Sequence, residues 1–318
     1  MVAGPDSVLP LMFSGSPQWQ AIRLAWSRLI DPCPVLVMIS NGGLVCCWKG
    51  AKCWMFRSAS WSQGACRDGM PQQREAIAEL IADLLFDLDL PGAELVLCLP
   101  PPSGSWCVID GLTDDDWDSN GLLRDRLGSA DLPFDLEQSY LMTGSIQDSV
   151  AVAGVARSLV QAWIDVVENA DLPLRRISWS LMDAQRALVQ LTQDWSGDLA
   201  WLLVQGEAVR LILMRDRVPE VDHALSSVDP EVCVSEARSC LQAWQQTLNL
   251  PGPVAWWLTL DDAHAFDWFQ VVDAEAGEQC LNKPVPWSPE PWSDTAESDE
   301  FSSLAHLALS VLHEEESW

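Results

Sequence analysis

The feature that most constrains this sequence is that its two halves begin in the same way. The first half opens with three short extended runs, VLVMIS (35–40), LVCCWK (44–49) and CWMFR (53–57). The second opens with LAWLLVQ (199–205) and VRLILMRD (209–216). Helices and further buried strands follow in both halves. Strands interleaved with helices predict layers of sheet and helix, and the repetition predicts a duplicated α/β unit.

Local signals define the elements of each half. Asn41-Gly42 separates the first two runs and is typical of a hairpin, because both turn residues tolerate positive φ. Apolar residues at helical spacing predict the main helices, at 72–88, 155–170, 181–193 and 231–247. Continuous apolar runs predict buried strands at 94–100 and 254–260. A further helix is predicted at 20–29 and a last one at 301–313.

Charge limits the possible partners. The sequence has 46 acidic and 18 basic residues, a formal net charge of −28. A surface of this sign repels nucleic-acid phosphates and anionic lipid headgroups. The apolar runs are far shorter than the roughly 20 residues that span a bilayer, and the N-terminal MVAGPDSVLP lacks the basic segment of a signal peptide. We therefore expect a soluble cytoplasmic protein with no nucleic-acid partner and no direct membrane insertion.

Metal and catalytic motifs are weak. The ten Cys are scattered and form no C-x-x-C motif. We expect their thiols to stay reduced and their side chains to be buried as small apolar groups. Adjacent Cys46 and Cys47 would point to opposite faces of a strand, which disfavours a shared metal. His264 lies in the acidic segment DDAHAFD, where a hard cation could bind, although a solvated turn is the favoured interpretation. Neither a P-loop, a dinucleotide-binding glycine motif nor a nucleophile elbow is present.

Several segments carry a resemblance to a known family. They are Leu99-Pro100 after a buried strand, DLPFDLEQSYL (131–141), ADLPLRRISW (170–179), LAWLLVQGEAVRLILMRDRVP (199–219), VAWWLTLDD (254–262) and LAHLALSVL (304–312). Together they resemble the type IV pilus assembly protein family PilM, whose plan is shared by the secretion protein GspL and the division protein FtsA. The segment SEARSCLQAW is similar to an E-x-x-R-S-L helix of that family, with Glu236 and Arg238 one residue too close.

The resemblance implies a two-lobed, actin-like fold, which is a duplicated ribonuclease H-like α/β unit. A small α/β insertion is expected in the first lobe, and the second lobe is expected to be reduced. The expected divisions are an N-terminal arm and helix (1–34), the first-lobe sheet and helix (35–100), the insertion (101–177), a return helix (178–195), the second lobe (196–286), an acidic Pro/Ser loop (287–300) and a C-terminal helix (301–318).

The resemblance also implies three nucleotide loops, and each departs from the family pattern. They correspond to Asn41-Gly42-Gly43, Gln205-Gly206 and Asp261-Asp262. Amides replace the two carboxylates that would face Mg²⁺, and two acids replace glycines beside an anionic ligand. Each like-charge contact of this kind costs about 4 kcal/mol before screening. The segment 217–236 is also too short for the helical subdomain that roofs the adenine. We expect a non-catalytic pseudo-ATPase without a cofactor.

A partner is implied as well. Members of the family bind the cytoplasmic tail of PilN, a single-span inner-membrane protein, and pilus motor or platform components are further candidates. The expected site is a groove beside the insertion, with Trp106, Phe134 and Tyr140 as anchors, although each aromatic could equally be core. The acidic surface suits a basic tail. Recruitment to the inner membrane would then depend on this partner.

Two alternatives stay open from the sequence. The chain could be an active ATPase of pilus assembly or type II secretion, or a sugar kinase of the same fold, and would then bind ATP with Mg²⁺. It could also be an unrelated acidic α/β interaction protein, because hairpin turns such as Asn41-Gly42 occur without any such ancestry.

Overall fold

The computed structural model describes residues 33–49, 54–90, 92–110, 125–128, 132–146, 149–192, 194–205, 208–247, 253–260, 265–277 and 280–281. The helices predicted at 20–29 and 301–313 and the acidic loop 287–300 lie outside these residues. In the described part of the chain, no helix is long and apolar enough to cross a membrane.

The described residues of the first part form ten strands and three long helices, and residues 125–128 are also helical. In chain order they are β1 (Pro34–Ile39), β2 (Gly43–Lys49), β3 (Trp54–Ser60), β4 (Cys66–Arg67), β5 (Met70–Pro71), α1 (Arg74–Asp87), β6 (Glu94–Leu99), a 3₁₀ turn (Pro101–Ser103), β7 (Gly104–Asp110), β8 (Ser139–Ile146), β9 (Ser149–Ala156), α2 (Arg157–Asn169), β10 (Leu174–Trp179) and α3 (Ser180–Leu191).

In the second part of the chain, the residues that the structure describes form four strands and two helices. They are β11 (Asp198–Gln205), β12 (Ala208–Arg215), β13 (Val218–Ala224), α4 (Pro230–Thr247), β14 (Val254–Leu260) and α5 (Ala265–Ala276).

Two main sheets have the same strand plan. The first has the order β10-β6-β1-β2-β3, with β1 antiparallel to β2 and parallel to β6. The second has the order β13-β12-β11-β14, with β11 antiparallel to β12 and parallel to β14. A parallel bridge joins Trp256 of β14 to Cys280, at the position that β10 takes beside β6. The expected duplication is therefore confirmed.

A third sheet is inserted into the first lobe. Strands β7, β9 and β8 form an antiparallel sheet between β6 and α2. One of its faces packs on a small cluster around Leu127, Val150 and Val152. Ala153 and Val155 of the other face belong to the main core. The predicted insertion continued to residue 177, but β10 pairs with β6, so residues 174–179 belong to the first-lobe sheet.

Helix α3 lies in the core that joins the two lobes. Its residues 180–185, 187 and 188 are buried. Trp201 and Trp257, on one face of the second sheet, belong to the same core cluster as α3 and the first-lobe sheet. Alternate residues of those strands, such as Leu202 and Trp256, face α4 and α5 in a separate cluster. The second sheet is therefore buried on both faces, which explains its nearly continuous apolar strands.

Candidate functional site

The β1–β2 connection is the first of the three predicted nucleotide loops. Ser40 closes it, because its amide donates to the Gly43 carbonyl (2.8 Å) and its hydroxyl accepts from the Gly43 amide (3.1 Å). Neither Asn41 nor Gly42 has a φ in the left-handed region. The hairpin was predicted correctly, but the positive φ angles on which the prediction rested are not found at Asn41 and Gly42. Among the connections that the structure describes, two-residue turns with positive φ occur at Asp68-Gly69 and Asp216-Arg217.

Asn41 braces this loop against neighbouring segments. Its side-chain Oδ1 accepts the Gly69 amide at 3.4 Å, and its carbonyl accepts the indole N–H of Trp61 at 2.8 Å. The Gly69 carbonyl in turn accepts the indole N–H of Trp163 from α2 (2.7 Å). The amide of Asn41 therefore holds the loop to the β4–β5 turn and, through that turn, to α2.

The two glycines of the loop have different surroundings. A Cβ at Gly43 would overlap the carbonyl oxygen of Ala59 on β3, whereas a Cβ at Gly42 would have nothing within 4 Å. Gly43 is therefore required by the close approach of β2 and β3. The packing of these strands accounts for this glycine without any ligand.

The other two predicted loops follow neighbouring strands of the second sheet. Gln205 ends β11, and Val204 pairs with Leu260 at the end of the parallel strand β14. The segments that follow both strands therefore begin at the same edge of the sheet. Gly206, Asp261 and Asp262 lie outside the described residues.

The connection from β13 to α4 is short. Residues 225–229 link the two elements, and Asp229 caps α4 by accepting the amides of Glu231 (3.0 Å) and Val232 (3.1 Å). Glu236 accepts the amide (3.0 Å) and hydroxyl (2.6 Å) of Ser226, and these bonds lower the pKa of its carboxyl. Between β13 and α4, where every residue is described, the chain has no room for a helical subdomain.

A buried polar cluster lies where β6 and β10 end, and no pattern in the sequence indicated it. The Cys98 thiol is 3.1 Å from the Ser178 hydroxyl and 3.8 Å from the Asp183 carboxylate of α3. Burial, followed by the charge of Asp183, raises the pKa of the Cys98 thiol. This cysteine is therefore an unreactive core residue. Among the described residues no group of three metal-ligating side chains occurs.

The three predicted partner-binding aromatics do not lie together. Trp106 pairs with Ala153 and Tyr140 pairs with Val155. Both aromatics therefore lie on the face of the inserted sheet that Ala153 and Val155 turn to the main core. Phe134 lies on the other side, with its ring against Gly154. Trp106 is 8% exposed and Tyr140 is 48% exposed. Of the three, Tyr140 offers the largest exposed surface.

Two arginines contact strand β8 next to Tyr140. Arg157 lies over the Tyr140 ring, 5.4 Å from its centroid, and its Nε donates to the Ser139 carbonyl (3.3 Å). Arg186 of α3 donates to the Thr143 carbonyl (3.1 Å). In the described residues β8 has a strand neighbour on one side only, β9. Along its other edge the Ser139 and Thr143 carbonyls accept the two arginines, and the Tyr140 side chain beside them is exposed.

Two lobes built on one repeated strand order, joined through a central helix and carrying an insertion in the first lobe, define an actin-like ATPase fold. Among solved structures, a chain of the PilM–PilN type IV pilus biogenesis complex is similar over 88% of this chain and 98% of that chain, with a TM-score of 0.62 and 14% identity. At this identity the likeness shows the fold.

Two further structures are similar at lower scores. A protein of actin-like ATPase fold and unknown function from Bacteroides thetaiotaomicron matches 77% of this chain and 88% of its own, with a TM-score of 0.49 and 8% identity. The cytoplasmic domain of EpsL, an inner-membrane component of the type II secretion system of Vibrio cholerae, matches 89% and 95%, with a TM-score of 0.48 and 12% identity. No family model and no curated protein matches the sequence.

Proposed function

We propose that this chain is a non-catalytic adaptor of a type IV pilus assembly machinery, and that it binds the cytoplasmic tail of an inner-membrane PilN-like protein. The observation that carries the proposal is the likeness to a chain of the PilM–PilN complex, which extends over 98% of that chain. The likeness includes both lobes and is therefore not limited to one recurring unit of the fold. Recruitment to the inner membrane would follow from this partner.

The first predicted nucleotide loop supports a non-catalytic role. Asn41 offers Mg²⁺ an uncharged amide, and its oxygen already accepts the Gly69 amide. Gly43 is explained by the packing of β2 on β3. The short linker after β13 leaves an adenine without a roof from that segment. The loop and the linker together favour a chain that recruits a partner over one that hydrolyses ATP.

The edge of β8 that lies away from β9 is the proposed docking surface. An extended tail would add a strand there through main-chain hydrogen bonds by displacing Arg157 and Arg186 from the Ser139 and Thr143 carbonyls, and Tyr140 would pack against one of its side chains. The net charge of −28 favours a basic tail, raises the encounter rate at low salt, and loses influence as salt screens it. Trp106 and Phe134 would support this strand from within the protein.

The test is a titration of the intact chain with a fluorescent peptide that has the sequence of a PilN-like cytoplasmic tail. We expect saturable binding that weakens as salt rises. The Tyr140→Ala variant is expected to weaken binding by roughly tenfold or more if the ring is a central anchor. Phe86→Ala is the matched control, because Phe86 is 81% exposed on α1, outside the inserted sheet.

Two outcomes of this titration would contradict the proposal. Absence of binding at low salt would contradict the partner assignment. Binding that is equally strong in Tyr140→Ala and in the wild-type chain would place the tail elsewhere.

A further inference from the structure

A charged pair on the second lobe faces the first lobe. Arg210 of β12 donates to both carboxylate oxygens of Asp222 on β13, from Nε at 3.0 Å and from Nη2 at 2.6 Å. The side chains are 22% and 16% exposed. Asp222 pairs with Ile212, which belongs to the core cluster shared with the first lobe. A bidentate arginine–carboxylate pair that is largely shielded from water has a fixed geometry.

Groups from outside the second lobe complete this pair. The indole N–H of Trp106, on the inserted strand β7, donates to Asp222 Oδ2 at 2.8 Å. Arg210 Nη1 donates at 3.4 Å to the carbonyl of Pro101, which begins the 3₁₀ turn after the first-lobe strand β6. Trp179 of β10 donates to the same carbonyl at 3.2 Å, and its ring meets Trp106 edge to face at a centroid distance of 5.8 Å.

We propose that Arg210, Asp222, Trp106, Trp179 and the Pro101 carbonyl form an interlobe clasp, which holds the second lobe against the insertion and the first lobe without any bound ligand. The Asp222 carboxylate receives three of the five side-chain hydrogen bonds that define the clasp, and one of them comes from the insertion. Two separate regions of the first half, Pro101 and Trp106, thereby contact one charged pair.

A second cluster of the same chemistry provides an internal comparison. On the same β12–β13 hairpin, Arg215 donates to Glu220 (3.1 Å) and Trp244 donates its indole N–H to Glu220 (2.7 Å). Arg215 also lies over the Trp244 ring at 5.4 Å. Trp244 is on α4, so this cluster lies entirely within the second lobe. The two clusters share residue types but differ in whether they join the lobes.

The clasp has a consequence for what holds the two lobes together. In a two-lobed fold closed by a ligand, the ligand supplies contacts to both lobes. Here the arginine, the acid and the indole supply such contacts from within the chain. Opening the lobes would leave a shielded carboxylate without its indole donor, and leaving such a group unpaired is unfavourable. The clasp goes beyond the proposed adaptor function and does not depend on it.

Amide hydrogen exchange on the intact, partner-free chain tests the clasp. Trp106→Phe keeps an aromatic ring beside Trp179 but removes the indole N–H. We expect exchange in peptides covering 104–110 and 218–224 to rise by roughly tenfold or more, because a hydrogen bond to a charged group is lost. Trp244→Phe is the matched control, which should raise exchange in α4 and leave 104–110 unchanged.

A double-mutant cycle measures whether the clasp acts as a unit. We expect the exchange effects of Trp106→Phe and Arg210→Gln to be non-additive, since both act on Asp222. Unchanged exchange of 104–110 in Trp106→Phe, or additive effects in the cycle, would overturn the proposal. Failure of the tail peptide to bind would leave this result unaffected, so the two proposals fail separately.

Discussion

The two lobes share a strand plan and differ in what joins their strands. In the first lobe, residues 100–156 separate β6 from α2 and include the inserted sheet, whereas residues 261–264 separate β14 from α5. Between the third strand and the next helix, the first lobe has the β4–β5 hairpin and the second has the linker 225–229. The repeat is thus found in the two sheets, and the lobes differ in the connections between their strands and helices.

Three tryptophans hold turns and loops of the first lobe against its core. Trp61, Trp163 and Trp179 donate their indole N–H groups to the main-chain carbonyls of Asn41, Gly69 and Pro101. Each acceptor lies in a turn or loop, while the ring packs on the core. A side chain with a large apolar surface and one fixed donor is suited to this task. The sequence contains 18 Trp, and this role applies to three of them.

The largest expected effect tests whether the lobes share one core. Trp201 of β11 is fully buried in the cluster that contains α3 and the first-lobe sheet, and its N–H bonds to Thr259. Trp201→Ala is expected to lower the free energy of unfolding by about 3–5 kcal/mol, and both lobes should still unfold in a single transition. Denaturant unfolding, followed by circular dichroism and by exchange of first-lobe amides, measures this.

One unfolding pattern would contradict a core that the two lobes share. If Trp201→Ala produced a separate early transition with the first-lobe amides still protected, the lobes would be independent units that only touch. Phe86→Ala, at an exposed site on α1, is the control and should change stability little.

The next effect separates packing from ligand binding in the predicted nucleotide loop. Gly43→Ala places a Cβ against the Ala59 carbonyl, so we expect a loss of about 1–3 kcal/mol in the free energy of unfolding. Gly42→Ala, at an open position, should stay within about 0.5 kcal/mol of the wild-type chain. Thermal and denaturant unfolding of the two variants gives the comparison. Equal losses in both would mean that this loop has a different packing.

The smallest effect concerns the linker of the second lobe and depends on pH. Bonds from Ser226 lower the pKa of Glu236 from its ordinary value of 4.5, so they stabilise the fold above that value. The contribution is lost as the pH falls through the lowered pKa. We expect Ser226→Ala to be less stable than the wild-type chain near neutral pH and to approach it as the pH falls through the lowered pKa of Glu236. Urea midpoints at several pH values test this sign, and a gap that widens in acid would contradict it.

Much of the fold could be predicted because the apolar periodicity is strong. The helix predicted at 72–88 is α1 (Arg74–Asp87), and the strand predicted at 254–260 is β14 (Val254–Leu260). The sequence did not reveal β13, since VPEVDHA contains a proline and three polar residues. A strand with this composition is tolerated at the edge of a sheet, where β13 lies.

Less of the site could be predicted, because its contacts join distant parts of the chain. Trp106 and Asp222 are 116 residues apart, and no local pattern relates them. Trp106 was predicted as a peptide anchor because the family resemblance implies a groove beside the insertion, and the sequence does not distinguish such an anchor from an aromatic that meets the second lobe. Asn41 was recognised as an amide in a family position, while its bond to Gly69 depends on the β4–β5 turn, which the sequence did not reveal.

The central claim is that contacts within the chain, rather than a nucleotide, hold the two lobes together. The most direct measurement is thermal unfolding of the intact chain with and without millimolar ATP and Mg²⁺, with Mg²⁺ alone as control. A ligand at one hundred times its dissociation constant stabilises a native protein by about 2.7 kcal/mol. We predict the same unfolding midpoint in all three samples. A rise of several degrees with ATP and Mg²⁺ would contradict the account.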